Sequence, residues 1–128
     1  MSVQRRRVAS GSPYEGPIGF SRAVRVGDRI EVAGTAPVWP DGSCPCDPEV
    51  QADRCFAIAL DALAQAGGTA ADVVRTRMYL TDPDDWEAVG RAHGRHFSDV
   101  RPVATMVVVA GLLDPRWKVE VEVSAVVG

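Results

Sequence analysis

Apolar and polar positions alternate in two short runs, FSRAVRV (20–26) and RIEVAG (29–34), on either side of Gly27 and Asp28. In an extended chain alternate side chains point to opposite faces, so each run predicts a strand with one buried and one wet side. Glycine supplies the positive φ that a tight connection needs, which predicts an antiparallel hairpin. The same period returns in DVVRTRMYLT (72–81), where Val74, Thr76, Met78 and Leu80 oppose Val73, Arg75, Arg77 and Tyr79. Residues 101–123, RPVATMVVVAGLLDPRWKVEVEV, predict two strongly apolar strands joined by a short turn.

Two stretches follow the helical period instead. The first is punctuated by Asp47 as a cap, Pro48 in the first turn and Gly67 with Gly68 at the end. Its apolar stripe is Ala52, Cys55, Phe56, Ala59, Leu60, Leu63 and Ala66, with Gln51, Arg54, Asp61 and Gln65 opposite and Ile58 among them, either a single exposed apolar side chain, the commoner case, or part of a subunit contact. The second opens at Asp82-Pro83-Asp84-Asp85, whose acids suit the positive end of a helix dipole, and runs to about Phe97 with a stripe of Trp86, Val89, His93 and Phe97. Residues 1–18 read as an N-terminal arm ending in a turn, and 19–128 as a single domain. VWPDGSCPCDP (38–48) is turn-rich and holds at most an irregular edge strand. The order β-β-(β)-α-β-α-β-β contains a strand-helix-strand crossover, which predicts a mixed sheet with both helices on one face. Tyr79, Arg75, Arg77, Glu120 and Glu122 then line the uncovered face, and a half-polar face of that size predicts a homo-oligomer.

Composition narrows the function classes. A chain of 128 residues with 46% hydrophobic and 24% charged residues has the make-up of a globular domain with a real core. The net charge of −3 and the lack of a basic stripe beyond Arg5 to Arg7, read as a solvated tail, argue against a nucleic-acid partner. The longest apolar run, Met106 to Leu113, is far below the roughly 18 residues of a membrane span, and no signal-peptide pattern opens the chain, so no membrane partner and a cytoplasmic location are expected. Cys44, Cys46 and Cys55 do not form a redox or metal spacing, and Cys55 sits on an apolar helix face as a small hydrophobe. His93 and His96 are three apart on a helix without a third ligand, so His93 reads as a packing histidine and no metal is expected. Walker, Rossmann and nucleophile-elbow patterns are absent. In the last strand Glu120 and Glu122 share a face with Lys118. Alternation alone does not separate a wet sheet face from a working carboxylate.

The stretches VRVGDRIEVAGTAP, AGGTAADVVRTRMYLTDPDDWEAVGRAHGRHF and RPVATMVVVAGLLDPRWKVEVEVSAV together resemble the RidA/YjgF reactive-intermediate deaminase family, also called L-PSP endoribonuclease-like. The resemblance covers roughly residues 19 to 127. It implies a chorismate-mutase-like α+β fold and a homotrimer whose sheets form a central barrel, with small-molecule clefts between subunits. It also implies hydrolysis of enamines and imines such as 2-aminoacrylate to keto acids and ammonia, without metal or cofactor.

The family signature Pro-Ala-Arg-Ser/Thr, whose arginine grips the substrate carboxylate, corresponds to Pro102-Val103-Ala104-Thr105, and the family's water-orienting glutamate corresponds to Glu120. The arginine is replaced by Ala104, which cannot make two charge-assisted hydrogen bonds. Arg101 precedes a proline three residues away and is expected to face elsewhere. The other cleft positions implied by the resemblance are Phe20, where the family usually has Tyr, Gly34, Thr35, Trp86, Thr105 and Met106. Such a pocket is more apolar than the family's usual one and predicts a ligand that is less acidic, or larger. The leading expectation is an imine- or enamine-type substrate other than 2-aminoacrylate, with Glu120 at the cleft and Glu122 structural. The second is a non-catalytic ligand-binding or regulatory trimer. RNA cleavage, implied by the family's other label, is disfavoured by the acidic balance.

Overall fold

The predicted hairpin forms around Gly27, whose φ of 62° supplies the left-handed turn between β2 (Ala23–Val26) and β3 (Arg29–Thr35). The computed structural model describes residues 4–128, so the first three residues of the predicted arm lie outside the described residues. The other strands and α-helices are β1 (Arg5–Val8), α1 (Pro48–Gln65), β4 (Val73–Leu80), α2 (Trp86–Phe97), β5 (Val103–Val108) and β6 (Val119–Val126), with single helical turns at Glu15–Gly19, Ala70–Asp72 and Pro83–Asp85. They build one sheet in the order β1-β2-β3-β6-β4-β5, in which only β4 and β5 run parallel. Both helices lie on one face, α1 against β3 and β6 and α2 beside α1, as expected for a mixed α+β sheet. No helix of the described residues is long and apolar enough to cross a membrane.

Several expectations need correction. The arm is not unstructured throughout, because Arg5–Val8 pairs with β2 as an antiparallel edge strand. Within it, only the middle arginine of the basic triplet turns to the helix side, where Arg6 bonds the Gln65 carbonyl while Arg25 donates to that of Ala66 at 2.9 Å. These guanidinium groups sit at the negative end of α1. Second, β5 and β6 are not a turn-linked pair. The crossover through α2 lays β5 outside β4, and residues 109–118 carry the chain past β4 to its other side. Third, Val73 faces the core and Val74 is exposed, the reverse of the alternation. Val73 opposes Ala125 while Arg75 opposes Ser124, so Val74 is the extra residue of a bulge that resets the faces. The turn-rich segment 38–48 contributes no strand.

Helix α1 begins and ends as predicted. The Asp47 carboxylate accepts hydrogen bonds from the amides of Glu49 (2.8 Å) and Val50 (3.4 Å). At the other end Gly67 takes φ 90°, and the Gly68 and Gly67 amides donate to the carbonyls of Leu63 and Ala64, both at 2.9 Å. This is the glycine-dependent closure that satisfies otherwise orphaned carbonyls. Gln51, predicted on the wet face, is instead buried. Its amide donates to the carbonyls of Pro45 (2.8 Å) and Arg116 (3.0 Å) and accepts from the Lys118 amide (2.7 Å), pinning the chain that leads into β6. Cys55 is packed in the core, and burial pushes its thiol pKa up, which fits a small hydrophobe rather than a reactive group.

His93 packs edge-on against Phe56, with ring centroids 5.5 Å apart, and its Nε2 is 2.8 Å from Thr76 Oγ1. His96 is engaged separately, with Nε2 2.9 Å from an Asp53 carboxylate oxygen. Burial, seconded by the charge of His96, lowers the His93 pKa below its ordinary value of 6.5. The unfolded chain therefore takes up a proton more readily than the folded one, and this stability contribution is lost as pH falls through that ordinary value. Thermal melts between pH 7.5 and pH 5 should show falling stability, with a shallower fall in His93→Gln.

Candidate functional site

The site is created by an irregularity in β3. Val32 opposes Val123 and Thr35 opposes Val121, so three steps on β3 match two on β6. The bulge turns Gly34 toward the uncovered sheet face and swings Thr35 inward. Thr35 is completely buried, and its hydroxyl donates to the Ala33 carbonyl at 2.7 Å, so it does not line the cleft as expected. Gly34 sits directly against Glu120: a Cβ there would collide with Glu120 Oε2.

Strand β6 supplies both carboxylates on that open face, with Glu120 opposite Tyr79 and Glu122 opposite Arg77. Their environments differ. Glu122 accepts a hydrogen bond from the Tyr79 hydroxyl. Glu120 has no hydrogen-bond or ion-pair partner within the chain among the described residues. It is half-buried, and its pKa is raised from the ordinary carboxylate value, first by burial and then by the nearby negative charge of Glu122, with Arg22 pulling the other way.

Glu120 and Gly34 lie where two concavities meet. The smaller, about 410 Å³, is walled by Tyr79, Glu122 and the loop residues Val109 to Leu112. The larger, about 720 Å³, is mostly apolar: Tyr14, Phe20, Val38, Ile58, Leu113 and Trp117 form its walls, and Arg22 brings charge to it. Ile58, expected either as a single exposed residue or in a subunit contact, is thus a wall of this hollow.

Of the expected site residues, one chain brings together Phe20, Gly34 and Glu120. Trp86 stands at the start of α2, 59% exposed, and lines neither concavity. Ala104, Thr105 and Met106 belong to β5, which β4 separates from β6. Ala104 pairs with Thr76, which faces the helices, so within a chain it lies on the opposite sheet face from Glu120. Met106 pairs with Met78 and packs partly on the core, while Thr105 pairs with Arg77 on the open side. Arg101 donates through Nε to the Ser98 carbonyl at 3.3 Å, turned to the end of α2 as expected.

Arg22, Tyr79 and Trp117 were not singled out as cleft residues from the sequence. Arg22 had a signal, since it follows Phe20 by two positions in an alternating run and therefore shares its face. Trp117 and Leu113 come from a loop whose path no period encodes.

The sequence profile of the family described as Endoribonuclease L-PSP matches residues 15–127. The chain belongs to this family, the RidA/YjgF family. Among its relatives, a Streptomyces coelicolor protein is 46% identical over 125 residues, covering 94% of this chain and 90% of the relative. A RutC family protein of Pyrococcus abyssi is 31% identical over 99 residues, covering 75% of this chain and 78% of the relative. Among solved structures, a member of the YjgF/YER057c/UK114 family from Mycobacterium tuberculosis superposes with a TM-score of 0.89 at 43% identity, covering 97% of this chain and all 100% of that one. The RidA/YjgF chain accordingly has the chorismate-mutase-like α+β fold that its motifs implied.

Proposed function

We propose that this RidA/YjgF protein forms a homotrimer and hydrolyses a reactive imine or enamine bulkier than 2-aminoacrylate at clefts between subunits, in the cytoplasm and without metal or cofactor. The observation that carries the proposal is Glu120, a half-buried carboxylate without a partner in the chain and with a raised pKa, at the junction of two concavities. Such a group can hold a water and accept its proton. An enamine first takes a proton on carbon to become the imine. The water oxygen then adds to the imine carbon as Glu120 takes a proton from it and passes it to the nitrogen. The new hydroxyl gives up its proton to the nitrogen as the carbon–nitrogen bond breaks, so that a keto compound and ammonia leave.

The uncovered face and the bare edge support assembly. Val103, Val107 and Val108 of β5 are 57%, 41% and 53% exposed, on a strand paired along one side only. The separation of Ala104 from Glu120 within one chain also favours a cleft completed by a neighbouring copy. In that arrangement the β5 backbone near Thr105 and Met106 would polarise the substrate. Ala104 itself, standing where the resemblance implies an arginine, argues for changed specificity. It equally supports the second reading, a ligand-binding or regulatory trimer that no longer turns over substrate. RNA cleavage is disfavoured by the net charge of −3.

Ammonia release from imines generated in situ separates these readings. Turnover of an imine with a branched or aromatic side chain, faster than of 2-aminoacrylate, supports the hydrolase. Binding of the matching keto compound without any turnover selects the regulatory reading.

Gly34→Ala tests the geometry at low cost to the fold, because the atom its Cβ meets is the end of a flexible side chain. The carboxylate must shift, and displacement of a catalytic group by about 1 Å costs on the order of 100-fold in rate. Steady-state kinetics should show that loss with an unchanged circular-dichroism spectrum.

A further inference from the structure

From the unsatisfied donors of Arg22 beside Glu120, we infer that Arg22 is the anion-binding residue of this cleft and that its ligand is a carboxylate with a large apolar body. This inference rests on the cleft reading above and chooses, of the less acidic and the larger ligand, the larger one that keeps its acid group.

Arg22 leads into β2, held by its amide to the Val8 carbonyl at 2.8 Å and by its carbonyl to the Ala33 amide at 2.9 Å. The side chain bends over the β3 bulge, where Nη2 donates to the Gly34 carbonyl at 2.6 Å. That bond fixes the guanidinium next to the residue that abuts Glu120. Nε is sealed from solvent with no hydrogen-bond partner. Nη1 likewise has no partner among the described residues, and Arg22 forms no ion pair with Glu120 within 4.0 Å. Arg22 is half-buried, and of its donors it is the sealed Nε that carries the cost of a buried polar group without a partner, while Nη1 stays open to the cleft. Glu120 is the anion that acts on it most strongly, and Glu15, the next, is already engaged by Ser10.

The surroundings define the ligand. Arg22 and Glu120 both line the 720 Å³ concavity together with the apolar walls of Phe20, Ile58, Leu113 and Trp117, and Arg54, the other cation there, has its Nε engaged by the Val38 carbonyl at 2.7 Å. A carboxylate on Nη1 brings the adjacent carbon toward Glu120 and sends a bulky side chain along those walls. A guanidinium recognises a carboxylate through paired charge-assisted hydrogen bonds, which the Ala104 methyl group cannot offer. A small acid leaves the apolar walls uncovered, so size and charge are selected together.

Phenylpyruvate and its uncharged methyl ester are the probes, measured by calorimetry on the assembled protein. The wild type should bind the acid about 10- to 100-fold more tightly than the ester, the range expected for hydrogen bonds to charged groups. Arg22→Gln should remove that preference, weakening acid binding far more than ester binding, and Arg22→Lys, whose ammonium keeps a charge at that depth, should restore part of it. An acid preference that survives in folded Arg22→Gln overturns the inference, as does a wild type that binds both probes equally. Ammonia release separates this failure from that of the cleft reading. If imine hydrolysis still depends on Glu120 while Arg22→Gln changes no ligand preference, the cleft stands and Arg22 has no part in it. If the wild type binds neither probe and hydrolyses no imine, both fall.

Discussion

Replacing Glu120 by Gln is expected to lower imine hydrolysis by about 100- to 10,000-fold, the usual contribution of a positioned acid or base. Gln keeps the shape and can hold a water, but it cannot take its proton. The loss should fall on kcat with little change in ligand affinity. The opposite is expected for stability. Burial raises the pKa of Glu120, so the folded chain holds that proton more tightly than the unfolded chain. Its favourable contribution is present at low pH and is lost as pH rises through the folded value. Glu120→Gln should therefore melt no lower than the wild type at neutral pH, and higher if the desolvation cost dominates. A variant both inactive and destabilised would mark Glu120 as a structural residue. In the wild type the rate should rise with pH through a limb centred above the ordinary carboxylate value of 4.5.

Phe56→Ala is expected to be the most damaging single change to the fold. The ring is wholly buried, edge-on to Phe97 and His93 at 5.5 Å each and tilted to His96 at 5.7 Å. Truncation removes its apolar contacts and leaves a hole between α1 and α2 that these rings cannot close. Such changes cost about 3–5 kcal/mol, a large part of the roughly 5–15 kcal/mol of a typical domain. Urea unfolding should show a loss in that range, and one below about 1 kcal/mol would mean the layer repacks. The effect reaches the cleft because Ile58, two residues further along α1, is a wall of the larger concavity.

Local physics made most elements legible. Asp47 with Pro48 and the Gly67 turn bounded α1 because caps and left-handed turns act within a few residues. The alternation of β6 correctly separated Val119, Val121 and Val123 from Glu120 and Glu122, since nothing interrupts its pleat. Two features lay beyond that reach. Bulges at Val74 and at Ala33–Gly34 shift the faces by one residue, and their position depends on the partner strand rather than on the chain's own pattern. Simple alternation therefore puts Val73 and Thr35 on the wrong sides. Gln51 was missed because its partners, at Pro45 and in the segment before β6, come from distant chain whose path the helix period does not describe.

The site was legible in parts. Phe20, Gly34 and Glu120 came from the family resemblance, and the fold places them together. Ala104, Thr105 and Met106 came from the same resemblance, yet they sit across β4, so their use at the site depends on a second copy. Arg22 carried a signal in the face it shares with Phe20, but only the bulge carbonyl that holds its guanidinium shows where the charge rests.

The most direct measurement of the central claim is a crystal structure of the assembled protein with a bulky 2-keto acid bound. The ligand is expected between Phe20 and Trp117, its keto carbon about 3–3.5 Å from the oxygen of a water held by Glu120. A ligand occupying another part of the molecule, with Glu120 left untouched, would contradict it.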